Sequence, residues 1–487
     1  MSFKKLHIIL ILFACFVHVS GQETVSQTEM KNIYEQVKTP YKYGLVVAPT
    51  DNNHKMDCPT VFRKGEKWYM TFVVYNGKTG TDGRGYETWI AESDDLLKWT
   101  IKERLLSYKE NTWDKNQRGG FPSLPDMNWG GSYELQPYKG KYWMTYIGGE
   151  NAGYEAGPLK IGLAFTKTKN LGKLQEWNVF ENPILTSEDE DHQWFENITQ
   201  YKSTVYWDKE KKLGKQFVMF YNAGGINPET KIKAERIGIA LSDDMKHWQR
   251  YAGNPVFTHE EGITGDAHIQ KIGDTYVMFY FSAFRADRNY KAFNTFACSK
   301  DLIHWSDWQG GDLIIPSKDY DNLFAHKSYV INYKGVVYHF YCAVNKFDQR
   351  GIAVATSKPM GRSGVQFPTP EIKERRTNIS LNENWLTWMK NDTLNVNVPH
   401  NWDDYYGYRQ LTHGNLHGTA AYYKTFTAPD AGANKKYFLR FEGVGTYATV
   451  ILNGKNLGRF LGGRTTFTID VTKEINIGKE NKLTVIA

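Results

Sequence analysis

Asp57-Cys-Pro-Thr-Val-Phe62, Lys67-Trp-Tyr-Met-Thr-Phe-Val-Val-Tyr75 and Thr88-Trp-Ile-Ala-Glu-Ser-Asp-Asp-Leu-Leu-Lys-Trp-Thr100 are three aromatic and β-branched runs separated by Gly, Asp and Lys. Such residues suit a pleated, half-buried surface rather than a helix. The pattern returns at Lys141-Tyr-Trp-Met-Thr-Tyr146, Gln216-Phe-Val-Met-Phe-Tyr221, Thr275-Tyr-Val-Met-Phe-Tyr280 and Val336-Val-Tyr-His-Phe-Tyr341. A small-residue strand and a polar corner follow each copy, and four corners end in tryptophan: Trp99, Trp177, Trp248 and Trp305. Five copies of one antiparallel sheet, none able to bury both faces alone, predict a five-bladed β-propeller. The last unit lacks an outer strand of its own. Leu45–Ala48 is expected to supply it and close the ring, which leaves no sheet edge exposed.

Outward from this repeat, residues 22–370 read as the propeller and 371–487 as a β-sandwich, with a charged, proline-containing linker from Pro368 to Arg376. The second part has short alternating strands and Asn-Gly or Gly-Gly turns. It stops at Lys482-Leu-Thr-Val-Ile-Ala487, so its last strand is expected to be incomplete. The fold class is therefore all-β. Residues 22 to about 40 are polar with weak helical character.

Residues 1–21 read as a signal peptide: Lys4-Lys5, an apolar run from Ile8 to Val17, and small residues at Val19-Ser-Gly21 before Gln22. This predicts a periplasmic or secreted protein. Lipoprotein anchoring through Cys15 is the lesser alternative, because Phe13 spoils the lipobox. No other stretch reaches the roughly 20 apolar residues of a membrane span. Lys+Arg 60 against Asp+Glu 53 gives a net charge of only +7 without a basic stripe, which argues against a nucleic-acid partner. Cys58, Cys298 and Cys342 have no metal-like spacing and read as buried free thiols. No cofactor is expected; a structural calcium in the channel is allowed but not required. Oligomeric state is not legible.

Val398-Pro-His-Asn-Trp402, Phe441-Glu-Gly-Val-Gly445 and Leu452-Asn-Gly-Lys-Asn-Leu-Gly458 followed by Gly462-Gly463 resemble the sugar-binding jelly roll that begins family 2 glycoside hydrolases. In the propeller, Asp57-Cys-Pro and the Ser-Asp-Asp-Leu-x-x-Trp corner resemble the five-bladed glycoside hydrolases, a group holding families 43, 32, 117 and 130. That resemblance implies an oligosaccharide or polysaccharide substrate of plant or algal type, cleaved at a terminal sugar.

The starts of the innermost strands should converge at one mouth of the channel. The five expected starts are Asp57-Cys-Pro, Ser132-Tyr-Glu134, Trp194-Phe-Glu196, Gly265-Asp266-Ala-His268 and Ala325-His326-Lys327. Each carries an ionisable side chain, which packing alone explains poorly. Glycoside hydrolysis needs one protonated and one ionised carboxyl across the sugar. The resemblance assigns Asp57 as base, Glu196 as the tuning carboxylate and Asp266 as acid, with inversion. Glu196 stands where family 43 has Asp, and the Glu-Gly-Pro of the family 43 acid is missing, so His268 and His326 stay open as acids by likeness to family 117. Glu134, His268, His326, Trp129 and Trp194 are the expected sugar contacts, the tryptophans as stacking walls beside Tyr133. The long connections 107–129, 151–158 and 284–291 are expected to shape the binding face. Two alternatives are a glycoside phosphorylase, using Arg285, Arg288 and Lys327 for phosphate, and a non-catalytic glycan-binding protein. The Asp94-Asp95 and Asp243-Asp244 pairs read as turn caps.

Overall fold

The computed structural model describes residues 24–171, 176–289, 291–370, 376–403, 418–432 and 435–487. The expected signal peptide, Cys15 included, lies outside the described residues, as does 371–375 of the linker. The chain divides into two compact units, 1–371 and 372–487.

The first unit opens with helix α1 (Gln27–Val37), whose N-cap Ser26 accepts a hydrogen bond from the Glu29 N–H at 3.2 Å. Strand β1 (Tyr41–Val47) follows, then four-stranded blades in chain order. Blade one is β2 (Lys55–Lys64), β3 (Lys67–Tyr75), β4 (Tyr86–Ser93) and β5 (Thr100–Leu106). Blade two is β6 (Gln117–Pro122), β7 (Lys141–Gly149), β8 (Lys160–Lys167) and β9 (Asn178–Val179). Blade three is β10 (Thr199–Trp207), β11 (Phe217–Ile226), β12 (Lys233–Ser242) and β13 (Gln249–Arg250). Blade four is β14 (Gly262–Ile272), β15 (Thr275–Ala283), β16 (Phe293–Ser299) and β17 (Ser306–Asp307). Blade five is β18 (Phe324–Tyr333), β19 (Val336–Val344) and β20 (Arg350–Thr356), completed by β1. Tyr41 pairs with Thr356 and Val47 with Ile352, so the N-terminal strand closes the ring as its sequence predicts.

The strands are buried on both faces because each blade is sandwiched between two others. Val61, Met70 and Phe72 of blade one pack with Ile331, Phe340 and Val354 of blade five. Phe62 and Ile90 meet Met144 and Tyr146 across blades one and two, and Ile161 and Leu163 meet Val205 and Met219 across two and three. Val218 and Ile239 meet Ile269 and Met278 across three and four. Phe279 and Phe296 meet Val330 and Tyr341 across four and five, where Met30, Ile33 and Val37 of α1 also pack. Each large apolar residue that these seams bury is worth about 1.5–3 kcal/mol. The seams follow one another without a gap, and the ring is closed by packing as well as by hydrogen bonds.

Two features of the inner strands position the site. The register of β2, β10, β14 and β18 slips against the neighbouring strand at Asp57/Thr60, Gln200/Ser203, Gly265/His268 and His326/Tyr329. These are β-bulges, which re-aim side chains that a regular strand would hold elsewhere. In three of them a non-glycine residue has positive φ: Cys58 (51°), Asp266 (57°) and Lys327 (60°). Such backbone costs about 1–3 kcal/mol per residue and tends to mark functional sites. Blade two differs. Its inner strand is β6, not the expected Ser132-Tyr-Glu134 segment, and it pairs with β7 without a slip. Gly119-Gly120, which lie within the expected connection 107–129, are glycines of close approach. A Cβ on Gly120 would lie 2.4 Å from Met144 Sδ.

In the second unit β21 (Trp385–Met389), β22 (Asp392–Val396), β23 (Ala421–Thr427), β25 (Tyr447–Leu452), β26 (Lys455–Leu461) and β28 (Glu480–Ile486) form one sheet. β24 (Phe438–Phe441) pairs with β27 (Phe467–Asp470). Trp385, Val450, Leu483 and Val485 point into the core between them. β28 pairs on both sides, with β23 and β25.

Candidate active site

A cleft of about 130 Å³ sits over the bulged inner strands. Its polar lining includes Glu155, Lys202, Glu235, Asp266, Lys327 and Arg350. Phe281, Phe284 and Phe324 form an apolar side.

Asp57 lies at its base, fully buried, and anchors the rest. Its Oδ1 accepts from the Cys58 N–H at 2.8 Å; Oδ2 accepts from Lys327 Nζ at 2.9 Å and from the Tyr154 hydroxyl. Burial works to raise its pKa, but the Lys327 charge, with Arg350 and the Tyr154 hydroxyl, holds it well below the usual carboxylate range. Tyr154 accepts in turn from Arg350 and packs edge-on against Tyr75 and Tyr86. Asp57 thereby fastens the turn between β7 and β8, and that turn carries Glu155 into the cleft. Glu155 Oε1 accepts from Lys327 Nζ at 2.8 Å and from the Tyr86 hydroxyl at 3.0 Å. Among the described residues its Oε2 takes no hydrogen bond from the protein.

Glu235 reaches the cleft by a different route. It stands on β12, the third strand of its blade, but Ala234 and Glu235 pair in parallel with Gly262 and Ile263 of β14, the inner strand of the next blade. This short bridge between blades brings a third-strand residue to the channel mouth. Glu235 Oε2 accepts from Asn222 Nδ2 at 3.2 Å, and the Tyr201 hydroxyl is its other hydrogen-bond partner. Burial first, then the carboxylates of Glu155 and Asp266, push its pKa up to about 8. A carboxyl in this state carries a proton at neutral pH and can give it away.

The residues named from sequence divide into two groups. Asp57, Asp266 and His326 lie in or directly under the cleft. Asp266 is raised by burial, with Lys202 and Lys327 opposing. His326 sits between Phe281 and Phe324, and burial lowers its pKa to about 3, so its ring is neutral.

The other five are elsewhere. Glu196 ends a short 3-10 turn before β10 and is closed in by four donors: Arg250 Nε (2.7 Å), the Gln193 N–H (3.2 Å), Gln200 Nε2 (3.3 Å) and the Tyr221 hydroxyl (3.2 Å). Trp194 packs in the seam of blades two and three beneath the Arg236 guanidinium. His268 is core: it stacks on Tyr329 and bonds to the Val330 carbonyl. It lies past its bulge, where the strand has turned its side chain from the cleft. Glu134 is exposed and accepts from the Gly65 N–H at 3.3 Å, while the Trp129 N–H bonds to the Lys271 carbonyl. Gly65 follows the end of β2 and Lys271 is near the end of β14, so both residues lie at the far end of inner strands whose starts form the cleft. A displaced strand start explains the misplacements in blades two and three. The inner strand of blade two starts earlier than its sequence suggests, and that of blade three starts later.

Two cleft residues, Glu155 and Glu235, are not among those the sequence singles out. Glu155 lies in the 151–158 connection expected to shape the binding face. Glu235 had one signal: an acid at the head of the otherwise buried run Ile237-Gly-Ile-Ala-Leu241.

One group of three potential metal ligands occurs among the described residues, Asp57, His326 and Cys342. Calcium takes oxygen ligands, whereas this set offers a thiol, an imidazole and a carboxylate already held by Lys327, so it does not fit that ion.

Residues 400–487 match the family described as glycosyl hydrolase 2 galactose-binding domain-like. A beta-glucuronidase of Bacteroides fragilis is 30% identical over 120 residues, 23% of this chain and 17% of that protein. A beta-glucuronidase of Formosa agariphila is 32% identical over 112 residues, 22% of this chain and 11% of that protein. The chain thus spans about a sixth or less of the length of these curated relatives. Two solved structures are similar over far more. A complex of BT0996 with RGII is 70% identical, covering 71% of this chain and 99% of that one, with a TM-score of 0.69. A structure described as a glycoside hydrolase is also 70% identical over the same shares, with a TM-score of 0.70. With five closed blades and a carboxylate-lined cleft at their inner strands, this protein belongs to the glycoside hydrolases built on a five-bladed β-propeller.

Proposed function

We propose that this protein is an exported glycosidase that removes a terminal sugar from a plant-type glycan, with Glu235 as general acid and Glu155 as the opposing carboxylate. The observation that carries the assignment is Glu235: a carboxyl in the cleft wall whose hydrogen-bond partners are neutral and whose pKa is pushed up to about 8. Asp266, the acid expected from sequence, is also raised by burial, but it faces the Lys202 ammonium at 3.5 Å, which opposes that shift.

Glu235 protonates the glycosidic oxygen as the bond to the anomeric carbon breaks and positive charge spreads over the ring. Glu155 is pinned through Oε1 by Lys327 and Tyr86 and keeps Oε2 for a water. That water loses its proton to Glu155 as it attacks, giving inversion. Asp57, expected from sequence to be the base, acts in this reading as the anchor of Lys327 and Tyr154.

RGII is the glycan proposed, on the strength of the 70% identical structure that carries its name. Export rests on Lys4-Lys5 and the apolar run behind them; no helix among the described residues is long and apolar enough to cross a membrane. A phosphorylase gains no support, since Arg285 pairs with Asp287, Arg288 with Asp312, and Lys327 with Asp57 and Glu155.

The test is sugar release from RGII by wild type, E235Q, E155Q, D266N and D57N, with the first-formed anomer read by NMR. Wild type should release one monosaccharide with inverted configuration, and E235Q should release none over the same time. An active E235Q beside an inactive D266N would move the acid to Asp266.

A further inference from the structure

Buried polar atoms in folded proteins are nearly always hydrogen-bonded, so a pair that is not calls for an explanation. Lys202 on β10 and Asp266 on β14 form such a pair at the foot of the cleft. Both side chains are 4% exposed, and Nζ lies 3.5 Å from Oδ2. A charge-assisted N–H···O bond is about 2.7–2.9 Å. Among the described residues neither Lys202 Nζ nor Asp266 Oδ2 has a hydrogen-bond partner. Neither group is loose. Each stands at an inner-strand bulge, Asp266 with φ 57° and its N–H on Asn222 Oδ1 at 3.3 Å, and Lys202 with Nζ 5.5 Å from the centre of the Phe121 ring.

We propose that Lys202 and Asp266 together bind a vicinal diol of the sugar held in the cleft. The Lys202 ammonium donates to one hydroxyl oxygen, and Asp266 Oδ2 accepts from the hydroxyl on the neighbouring carbon. A donor beside an acceptor, both fixed and both buried, is complementary to two adjacent hydroxyls and to little else. A carboxylate or phosphate reaching Lys202 would be set against Asp266. The ligand class is therefore a neutral sugar with two free adjacent hydroxyls, and not a uronic acid presenting its carboxylate at this spot. The proposal rests on the reading of the cleft as the sugar site. Because both side chains are buried, a sugar lacking either hydroxyl leaves a buried charge without its partner, which is how enzymes reject deoxy analogues strongly.

The test uses the full-length protein with p-nitrophenyl glycosides of the common neutral plant sugars and, for the sugar turned over, its monodeoxy analogues. K202M and D266N should each lower kcat/KM on the parent glycoside by about ten- to a hundredfold, the worth of a hydrogen bond to a charged group. On one monodeoxy analogue the K202M loss should vanish. On the analogue deoxygenated at the adjacent carbon the D266N loss should vanish. Melting temperatures identify a variant that has merely unfolded; if D266N has, the K202M series decides alone. Equal K202M losses on every analogue would overturn the diol subsite while leaving the glycosidase reading intact. No release of sugar by wild type from any glycoside or from RGII would overturn the cleft reading, and the subsite with it.

Discussion

Blade three holds two buried or half-buried glutamates in two regions with opposite surroundings. Glu196, at the entry to β10, meets the guanidinium of Arg250, which itself binds Asp189, Asp191 and the Thr186 carbonyl. Glu235, at the head of β12, meets Asn222 and Tyr201, both neutral, and opens on the cleft. The two share a residue type, a blade and a low-dielectric setting, and differ in whether a cation is built in. A carboxylate paired with a built-in cation holds elements together. One left with neutral donors near other carboxylates keeps its proton and becomes reactive. A buried acid is therefore informative only once its counter-charge is known.

The comparison breaks most sharply at Glu235. E235Q should lower kcat on unactivated glycans by about a hundred- to ten-thousandfold, the usual contribution of a positioned acid. Aryl glycosides with good leaving groups should suffer much less, because their departure needs little protonation. Wild-type activity should also fall as pH rises through about 8, where Glu235 loses its proton. Steady-state kinetics from pH 5 to 10 check both. A basic limb that survives in E235Q on aryl substrates would assign that limb to another group.

The opposite substitution falls on the structural partner. R250M leaves Glu196 buried among uncharged donors and should cost about 3–5 kcal/mol, read by urea denaturation of the propeller transition. The folded fraction should still hydrolyse glycans near the wild-type rate. A folded R250M or E196Q with no activity would return Glu196 to the catalytic role its sequence position suggests. E196Q should cost less, since Arg250 keeps Asp189 and Asp191.

A smaller effect sharpens the Glu235 side through stability. Its folded pKa of about 8 is above the ordinary value of 4.5. A raised carboxyl contributes stability that is complete below the unfolded value and is lost as pH rises through the folded one. E235Q does not titrate, so its melting temperature should exceed wild type at pH 8 and the gap should close toward pH 4.5. Asp57 runs the other way. Its depressed pKa contributes stability that is present above the ordinary carboxylate pKa and lost as pH falls below it. Equal pH slopes for wild type and E235Q would remove the basis for Glu235 as acid.

The propeller was legible because its signal is repeated. Strand chemistry, corner tryptophans and the missing outer strand each recur or fail to recur in step, so blade number and closure follow from counting. The site is legible only where it obeys the repeat. Asp57, Asp266 and His326 stand at bulges of inner strands that the repeat places correctly. Glu155 rides on a turn unique to blade two, and Glu235 depends on a two-residue parallel bridge between blades. Neither contact leaves a trace in residue spacing. In blade two, Gly119-Gly120 hid the inner strand because close approach to Met144 and the end of a strand look alike in sequence.

The smallest expected effect tests the acids that do repeat. At three corners a serine hydroxyl accepts from the N–H three residues on: Ser93 from Leu96 (2.9 Å), Ser242 from Met245 (3.1 Å) and Ser299 from Leu302 (2.9 Å). Asp95, Asp244 and Asp301 cap the next N–H groups, and the tryptophan indoles of Trp99, Trp248 and Trp305 close each corner on the carbonyls of Leu96, Met245 and Leu302. Those three carbonyl residues all have positive φ, 67°, 71° and 73°, so the hydroxyls hold a strained turn in place. The acids there cap backbone, whereas Glu155, Glu235 and Asp266 cap nothing and face a cleft. Ser93→Ala, Ser242→Ala and Ser299→Ala should each cost about 1 kcal/mol, one hydrogen bond to a buried N–H. Because the corners lie in blades one, three and four with no shared partner, the losses should add to within about 0.5 kcal/mol in the triple variant. Denaturant midpoints read the cost, and kcat/KM on an aryl glycoside should not move. A corner variant that keeps its stability but loses activity would mean that the repeated acids also serve the cleft, and the separation between holding the ring and doing the chemistry would fail.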